Sequence, residues 1–177
     1  MKKRTRTISG VTPVAVMSRP AACPGKCIYC PEFQDTPRSY TPHSPAVMRA
    51  ATRGYDAAEQ VKLRLRILKD MGHPTDKVEL IIMGGTFLST SLEYQHEFIK
   101  ACFDALNGSA SDDLQTAQLI NETVSHRAVG LCIETRPDVC GETEIARMVA
   151  WGTTRVELGV QTLDNDIYRL VNRGHDT

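Results

Sequence analysis

The sequence contains no run that approaches the roughly 18 consecutive apolar residues of a membrane-spanning helix. Its first ten residues, MKKRTRTISG, lack the apolar segment of a secretory signal. Internal repeats and low-complexity segments are also absent, which excludes a repeat architecture. These absences predict a globular cytoplasmic protein with reduced thiols and no membrane partner, a setting in which clustered cysteines bind metal more often than they form disulfides.

Acidic and basic residues balance to a net charge of zero, but they are unevenly distributed. Residues 1–66 contain 12 Lys and Arg against 4 Asp and Glu, whereas the remainder contains 9 against 17. This asymmetry indicates either a basic surface suited to a polyanion such as nucleic acid, or only a polar tail and a solvated helix face. We interpret residues 1–10 as a basic N-terminal tail and residues 11–177 as one domain.

Short apolar segments alternate with amphipathic patterns along the chain. The apolar segments predict four strands, at residues 11–17, 77–85, 128–138 and 154–162. The patterns with a period near 3.6 predict helices over residues 55–72, 91–106, 112–126, 142–152 and 164–171. The Pro-rich stretch after the first strand is predicted to be irregular, and a long loop of that kind is usually functional.

The β-α-β-α order is typical of parallel strands joined by right-handed crossovers, so the predicted fold class is α/β. The nearly continuous apolar content of the strands predicts that both of their faces are buried. Four such units make neither a closed barrel nor a protected open sheet, because the last strand would be an exposed hydrophobic edge. We therefore expect a partial TIM-like (β/α) barrel, truncated after about four βα units, and a chain that is a fragment of a longer protein.

The strongest local signal is AACPGKCIYCPEF (21–33), which places Cys23, Cys27 and Cys30 in a C-x3-C-x2-C spacing. Three thiolates in one loop suit an iron–sulfur cluster. Structural zinc is the main alternative, but it requires a fourth ligand, and the nearest histidine, His43, does not fit the usual short spacings. In a 4Fe–4S cluster, three thiolates leave one iron open to bind a substrate or cofactor.

Polar residues also follow the other predicted strands. They are the segment 84–86 after the second strand, Glu134 and Arg136 after the third, and Glu157 and Gln161 after the fourth. The carboxyl ends of parallel strands meet at one edge of the sheet, which is where chemistry gathers in parallel α/β folds. Each signal alone is weak, because a glycine pair is more often a tight turn and a charged strand end is commonly solvated. Together with the cysteine loop, they predict a single site.

Six segments of the chain carry a resemblance to a known family: CPGKCIYCPE, SYTPHSPAVMRA, GHPTDKVELIIMGGTF, CIETRPDVC, TRVELGVQTL and NRGH. They resemble the radical S-adenosylmethionine (SAM) superfamily and, within it, the elongator catalytic subunit in its single-chain archaeal and bacterial form. The resemblance covers nearly the whole chain from about residue 7. It implies a radical SAM domain that helps to modify carbon 5 of the wobble uridine of tRNA, with acetyl-CoA as the carbon source.

The resemblance also implies roles for individual residues. Cys23, Cys27 and Cys30 would hold a 4Fe–4S cluster whose fourth iron binds SAM. Lys77 matches a lysine implicated in acetyl-CoA contact, although the local pattern alone indicates only a solvated lysine before a strand. The positions that match SAM-binding motifs are Gly84, Gly85, Thr86, Glu134, Arg136 and Gln161.

A tRNA substrate would give the basic first third of the chain a role in phosphate binding. Further implied partners are an electron donor, a C-terminal acetyltransferase-like domain that nothing in this sequence resembles, and either other elongator-type subunits or a second copy. Two alternatives stay open: a radical SAM enzyme with another substrate, and a zinc-stabilised RNA-binding module. The candidate phosphate-binding residues are Lys2, Lys3, Arg4, Arg6, Arg19, Lys26, Arg38, Arg49 and Arg53.

Overall fold

The structure is a computed structural model that describes residues 7–177. Its strands are β1 (Thr12–Met17), β2 (Lys77–Met83), β3 (Arg127–Thr135) and β4 (Arg155–Leu158). Its α-helices are α1 (Pro45–Ala51), α2 (Ala57–Asp70), α3 (Leu92–Asn107), α4 (Leu114–Asn121), α5 (Glu142–Ala150) and α6 (Asn165–Leu170). Short 3-10 turns at Phe87–Ser89 and Pro137–Val139 follow β2 and β3. No helix in this range is long and apolar enough to cross a membrane.

The four strands form one sheet in the order β1-β2-β3-β4, and every neighbouring pair is parallel. β1 and β2 pair without interruption from Thr12 opposite Val78 to Met17 opposite Met83. Helices occupy the connections between successive strands, as the alternating patterns predict. The predicted α/β class and the partial barrel are therefore confirmed.

One face of the sheet packs against the helices and forms the main core. Val14, Leu80 and Ile133 lie on three adjacent strands and are completely buried there. Leu68 of α2 and Ile99 of α3 are completely buried in the same core. Because burial of a large aliphatic side chain contributes about 1.5–3 kcal/mol, this face accounts for much of the stability of the fold.

The opposite face of the sheet is only partly covered, so the prediction that both faces of the strands are buried is wrong. In β2 the residues between the core positions, including Glu79 and Ile81, are half-buried. All four residues of β4 are exposed within the described chain. β4 contains Arg155 and Glu157 and pairs only with β3 in the described chain, as an exposed edge strand does.

The helix limits follow from local capping chemistry. Asp56 begins α2, since its carboxylate accepts a hydrogen bond from the Glu59 backbone amide at 2.8 Å. Gly72, with φ of +76°, lies just beyond the end of α2, as the sequence predicts. The Pro-rich stretch is not wholly irregular, however, because Pro45 occupies the first turn of α1, where its missing amide is no loss.

Two contacts fix the end of β1, from which the cysteine loop departs. The buried amide of Gln60 on α2 accepts from the Met17 amide at 2.8 Å and donates to the Met17 carbonyl at 2.9 Å. The Ser18 amide donates to the Met83 carbonyl at 2.9 Å, which extends the pairing with β2 by one step. The loop therefore starts from a rigid point at the carboxyl edge of the sheet.

Candidate active site

A cavity of about 740 Å³ lies at the carboxyl edge of the sheet. The segments after all four strands contribute to its wall, so the predicted convergence of strand ends is present in the structure. The residues that line it are Cys23, Gly25, Lys26, Cys27, Ile28, Tyr29, Cys30, Pro31, Glu32, Arg38, Ser39, Tyr40, Gly85, Glu134, Thr135, Arg136, Glu157, Leu158, Gly159, Gln161 and Arg173.

Cys23, Cys27 and Cys30 all line this cavity and are half-buried free thiols. The Gly25 amide lies 3.3 Å from the Cys23 sulfur, and the Cys30 amide donates to the Cys27 carbonyl at 3.1 Å. The loop thus turns tightly enough to present three sulfurs to one space.

Zinc would require the ligands to surround one point. Within residues 7–177, no group of three His, Cys, Asp or Glu side chains lies close enough together to hold a single metal ion. In a cubic 4Fe–4S cluster, by contrast, each thiolate binds a different iron, and the three thiols share one cavity wall.

Arg136 is almost completely buried between the end of β3 and the cysteine loop, with 5% of its surface exposed. Its Nε and Nη2 donate to the two carboxylate oxygens of Asp138 at 2.8 and 2.6 Å. Nη2 also donates to the Arg173 carbonyl at 3.0 Å, and Nη1 lies 3.6 Å from the Cys27 sulfur. Arg136 thus contacts the cysteine loop, and it also lines the cavity, so its contact with SAM stays a prediction.

Arg173, which the sequence analysis did not single out as a site residue, also reaches the Cys27 sulfur. Its Nη1 lies 3.5 Å from that sulfur, and its Nη2 donates to the Gly159 carbonyl. The chain around Arg173 is tied to the cysteine loop, because the Ile28 amide donates to the Val171 carbonyl at 3.0 Å. The motif NRGH, which contains Arg173, follows α6 and not a strand. The rule that site residues gather at the carboxyl ends of strands therefore does not predict a role for Arg173.

The two guanidinium groups change the chemistry of Cys27. Burial alone would raise the pKa of its thiol, but hydrogen bonds from Arg173 and Arg136, with a further one from Tyr29, outweigh that effect. The pKa of Cys27 therefore lies below its ordinary value, which favours the thiolate, the form that binds metal. The environment of the cysteine loop therefore favours an anionic sulfur ligand.

The segment 84–86 forms a close-packed turn after β2. A Cβ on Gly84, where φ is +141°, would lie 2.0 Å from the Ser18 hydroxyl oxygen. A Cβ on Gly85, where φ is +65°, would lie 2.4 Å from the Arg38 carbonyl oxygen. Both positions therefore require glycine. Gly85 lines the cavity, whereas Thr86 is 2% exposed and supports the turn from behind.

Glu134 and Gln161 both line the cavity, as predicted for SAM-binding positions. The Tyr40 hydroxyl donates a short hydrogen bond to Glu134 across 94 residues of sequence. Burial raises the pKa of Glu134 and the charge of Glu157 adds to the rise, while the bond from Tyr40 opposes it. Tyr40 thus holds the carboxylate of Glu134 in one orientation, a role that sequence did not reveal.

Lys77 does not approach this cavity. It is exposed at the amino end of β2, whereas the cavity lies beyond the carboxyl end of the same strand. At about 3.3 Å per residue, the strand separates Lys77 from the cavity by roughly 20 Å.

The predicted phosphate-binding residues fall in separate places. Lys2, Lys3, Arg4 and Arg6 lie outside the described residues. Lys26 and Arg38 line the cavity, and Arg38 forms an ion pair with Glu32 at 2.5 Å. Arg19 stacks on the ring of Tyr94 with its Cζ 4.2 Å from the ring centroid. Arg49 belongs to α1, and Arg53 is exposed just after it.

The first strand of this parallel half-barrel leads into a three-cysteine loop, and the site is open at the carboxyl edge of the sheet. This is the architecture of an enzyme domain that uses an iron–sulfur cluster. The sequence model that defines the radical SAM superfamily matches residues 17–177 of this chain. The chain belongs to the radical SAM superfamily.

Individual relatives are consistent with this membership. The chain is 70% identical over 175 residues to a protein of Dehalococcoides mccartyi named tRNA uridine(34) acetyltransferase, an alignment that covers 99% of this chain and 38% of the relative. It is 42% identical to Elongator complex protein 3 of Saccharomyces cerevisiae, covering 98% of this chain and 33% of that protein. The chain spans about a third of the length of these relatives.

A solved structure shares the fold. The archaeal Methanocaldococcus infernus Elp3 with an N-terminal deletion superimposes with a TM-score of 0.75 at 45% sequence identity. The match covers 94% of this chain and 32% of that one.

The superfamily implies a 4Fe–4S cluster and SAM, and the residues present fit both. Three thiols face one cavity, and two buried guanidinium groups offset the negative charge that a thiolate-bound cluster brings. Gly85, in the turn after β2, lines the same cavity.

Proposed function

We propose that this chain is the radical SAM domain of an enzyme that modifies carbon 5 of the wobble uridine of tRNA, with acetyl-CoA as co-substrate. The observation that carries the proposal is the 70% identity, over 99% of the chain, to a protein named tRNA uridine(34) acetyltransferase. The cavity supports it, because residues from all four strand ends and the three-cysteine loop line the same space.

Within this site, Cys23, Cys27 and Cys30 hold the iron–sulfur cluster. When bound, the cluster and SAM supply the 5′-deoxyadenosyl radical that starts the reaction. Glu134 and Gln161 stand on the wall of the cavity, where they can bind the hydroxyl and polar groups of SAM. Gly85 offers backbone polar groups to the SAM amine, and Tyr40 keeps Glu134 in place.

The proposed activity also requires the protein to bind tRNA. Lys26 and Arg38 line the cavity and are the basic residues best placed to meet a phosphate next to the reacting base. Arg38 would have to exchange its partner Glu32 for that phosphate, and an exposed ion pair costs about 0–1 kcal/mol to break. Residues 1–6 add four basic side chains to the same part of the sequence.

Lys77 is the residue assigned to acetyl-CoA by resemblance. Its position roughly 20 Å along β2 from the cavity means that it does not touch the reacting atoms. If Lys77 contacts acetyl-CoA, it does so at the opposite edge of the sheet. The proposed partners beyond the substrates are an electron donor, an acetyltransferase-like domain and further elongator-type subunits or a second copy.

The test uses the full-length protein, reconstituted with iron and sulfide without oxygen and supplied with SAM, acetyl-CoA, a chemical reductant and unmodified tRNA. Digestion of the tRNA and mass spectrometry of its nucleosides should show a C5-substituted uridine at position 34. A matched reaction without acetyl-CoA should still yield 5′-deoxyadenosine but no modified uridine. Formation of 5′-deoxyadenosine with no change in any tRNA nucleoside would contradict the RNA substrate and point to a radical SAM enzyme with another substrate.

A further inference from the structure

Of the contacts around the cysteine loop, the pair of arginines at Cys27 is not explained by binding SAM. Arg136 Nη1 and Arg173 Nη1 lie 3.6 and 3.5 Å from the Cys27 sulfur. These distances are those of N–H···S hydrogen bonds. The two arginines come from positions 109 and 146 residues away in sequence, so the fold brings both to one sulfur.

Arg136 is held rigidly in this contact. Asp138 accepts two hydrogen bonds from its guanidinium, at 2.8 and 2.6 Å, and the Arg173 carbonyl accepts a third at 3.0 Å. Because a bidentate carboxylate fixes the plane of a guanidinium, the remaining Nη1 is directed at the sulfur. Its side chain is 6% exposed, so water does not compete effectively for that donor.

Gly25 makes this approach possible from the side of the loop. A Cβ at this position would lie 2.0 Å from Arg136 Nη1 and 2.7 Å from Arg136 Cζ. The guanidinium therefore occupies the space that any side chain at Gly25 would fill. The segment between Cys23 and Cys27 therefore packs directly against the Arg136 guanidinium.

We propose that Arg136 and Arg173 are positioning residues that orient the Cys27 sulfur and raise the reduction potential of the cluster bound to it. The inference rests on the cluster assigned under the proposed function. Reduction adds negative charge to the cluster and its thiolates, and N–H donors and positive charge at a ligand sulfur stabilise the reduced state more than the oxidised one. Loss of either contact therefore makes the cluster harder to reduce.

The experiment is a redox titration of the reconstituted full-length protein, followed by electron paramagnetic resonance. We expect Arg136→Gln, which removes both the charge and the directed donor, to shift the midpoint potential to more negative values. Arg136→Lys and Gly25→Ala should give smaller shifts in the same direction, because each keeps the charge but loses the contact. Gly25→Ala removes no side chain, so it carries the test if the Arg136 variants do not fold.

Arg155 provides the matched control. Its Nε lies 3.3 Å from the sulfur of Cys132, a cysteine in β3 outside the cysteine loop, and Arg155→Lys should leave the potential unchanged. Wild-type potentials in both Arg136→Gln and Gly25→Ala would overturn the inference while leaving the proposed cluster intact. A wild-type protein that takes up no cluster would overturn the proposed function itself, and the iron content measured before each titration distinguishes the two failures.

Discussion

The helix-packed face of the sheet and the cavity at its carboxyl edge are built from different chemistry. On the helix-packed face, Leu80 and Ile82 are completely buried among aliphatic side chains. At the carboxyl edge, the cavity is lined by carboxylates, a glycine turn and the thiols of the cysteine loop. Stability therefore depends mainly on the helix-packed face and chemistry on the cavity, so substitutions in the two regions should have different effects.

The largest effect at the cavity is expected from Cys27→Ala. Loss of one of three thiolates should remove the bound cluster and abolish reductive cleavage of SAM in the full-length protein. Iron analysis and detection of 5′-deoxyadenosine measure this. Cys102→Ala is the matched control, because Cys102 is completely buried on the helix-packed face and its loss should leave iron content unchanged. Retained 5′-deoxyadenosine formation in Cys27→Ala would refute the assignment.

Neighbouring residues of β2 allow the faces to be compared directly. Leu80→Ala should reduce the free energy of unfolding by about 2–5 kcal/mol, because a fully buried aliphatic side chain leaves a cavity. Ile81→Ala, one residue along and half-buried on the opposite face of the sheet, should reduce it distinctly less. Urea unfolding of both variants measures the difference. Equal losses would show that the opposite face of the sheet is as tightly packed as the helix-packed face.

Gly84→Ala should destabilise the protein by about 1–3 kcal/mol through backbone strain at its φ of +141°, with a further loss from overlap with the Ser18 hydroxyl. Gly108→Ala is a control for strain alone, since φ is +74° there and a Cβ would meet nothing within 4 Å. Thermal unfolding should show the larger loss at Gly84. A smaller loss at Gly84 than at Gly108 would mean that the turn after β2 is not close-packed.

The smallest predicted effect is that of Tyr40→Phe. It removes the hydrogen bond that favours the ionised form of Glu134, so the pKa of Glu134, already raised by burial and by Glu157, should rise further. Because that folded-state pKa lies above the ordinary value, the carboxyl's contribution to stability is present at low pH and lost as pH rises through it. Tyr55→Phe is the control, because the Tyr55 hydroxyl donates to the Asp35 carbonyl at 2.7 Å and not to Glu134.

Carboxyl-labelled NMR titration reports the pKa of Glu134 in the wild type and both variants. An unchanged value in Tyr40→Phe would mean that the short contact in the structure is not a functional hydrogen bond.

The sequence predicts the sheet because its signals are local or topological. Alternating patterns give the order of strands and helices, and parallel strands bring their carboxyl ends together without knowledge of any side-chain contact. That reasoning suffices to place Glu134, Gln161 and the cysteine loop at one cavity. It does not settle burial, because the predicted strand at residues 154–162 mixes apolar and charged residues, and β4 within it is exposed at the sheet edge.

The arginine contacts at Cys27 depend on packing between segments far apart in the chain. Nothing near Arg173 in sequence indicates that the segment after α6 returns to bond Ile28 and approach Cys27. Arg136 was recognised, but its orientation depends on Asp138, two residues further on, which accepts both arms of its guanidinium. Side-chain direction of this kind is fixed by tertiary structure.

We expect the three-cysteine loop to hold a cluster with one iron open to SAM. The most direct measurement is metal analysis of the anaerobically reconstituted full-length protein, combined with electron paramagnetic resonance before and after SAM is added. We expect ~4 iron atoms per chain, as in a 4Fe–4S cluster, and a spectrum that changes when SAM binds. Stoichiometric zinc without iron, or a cluster spectrum that SAM leaves unchanged, would contradict it.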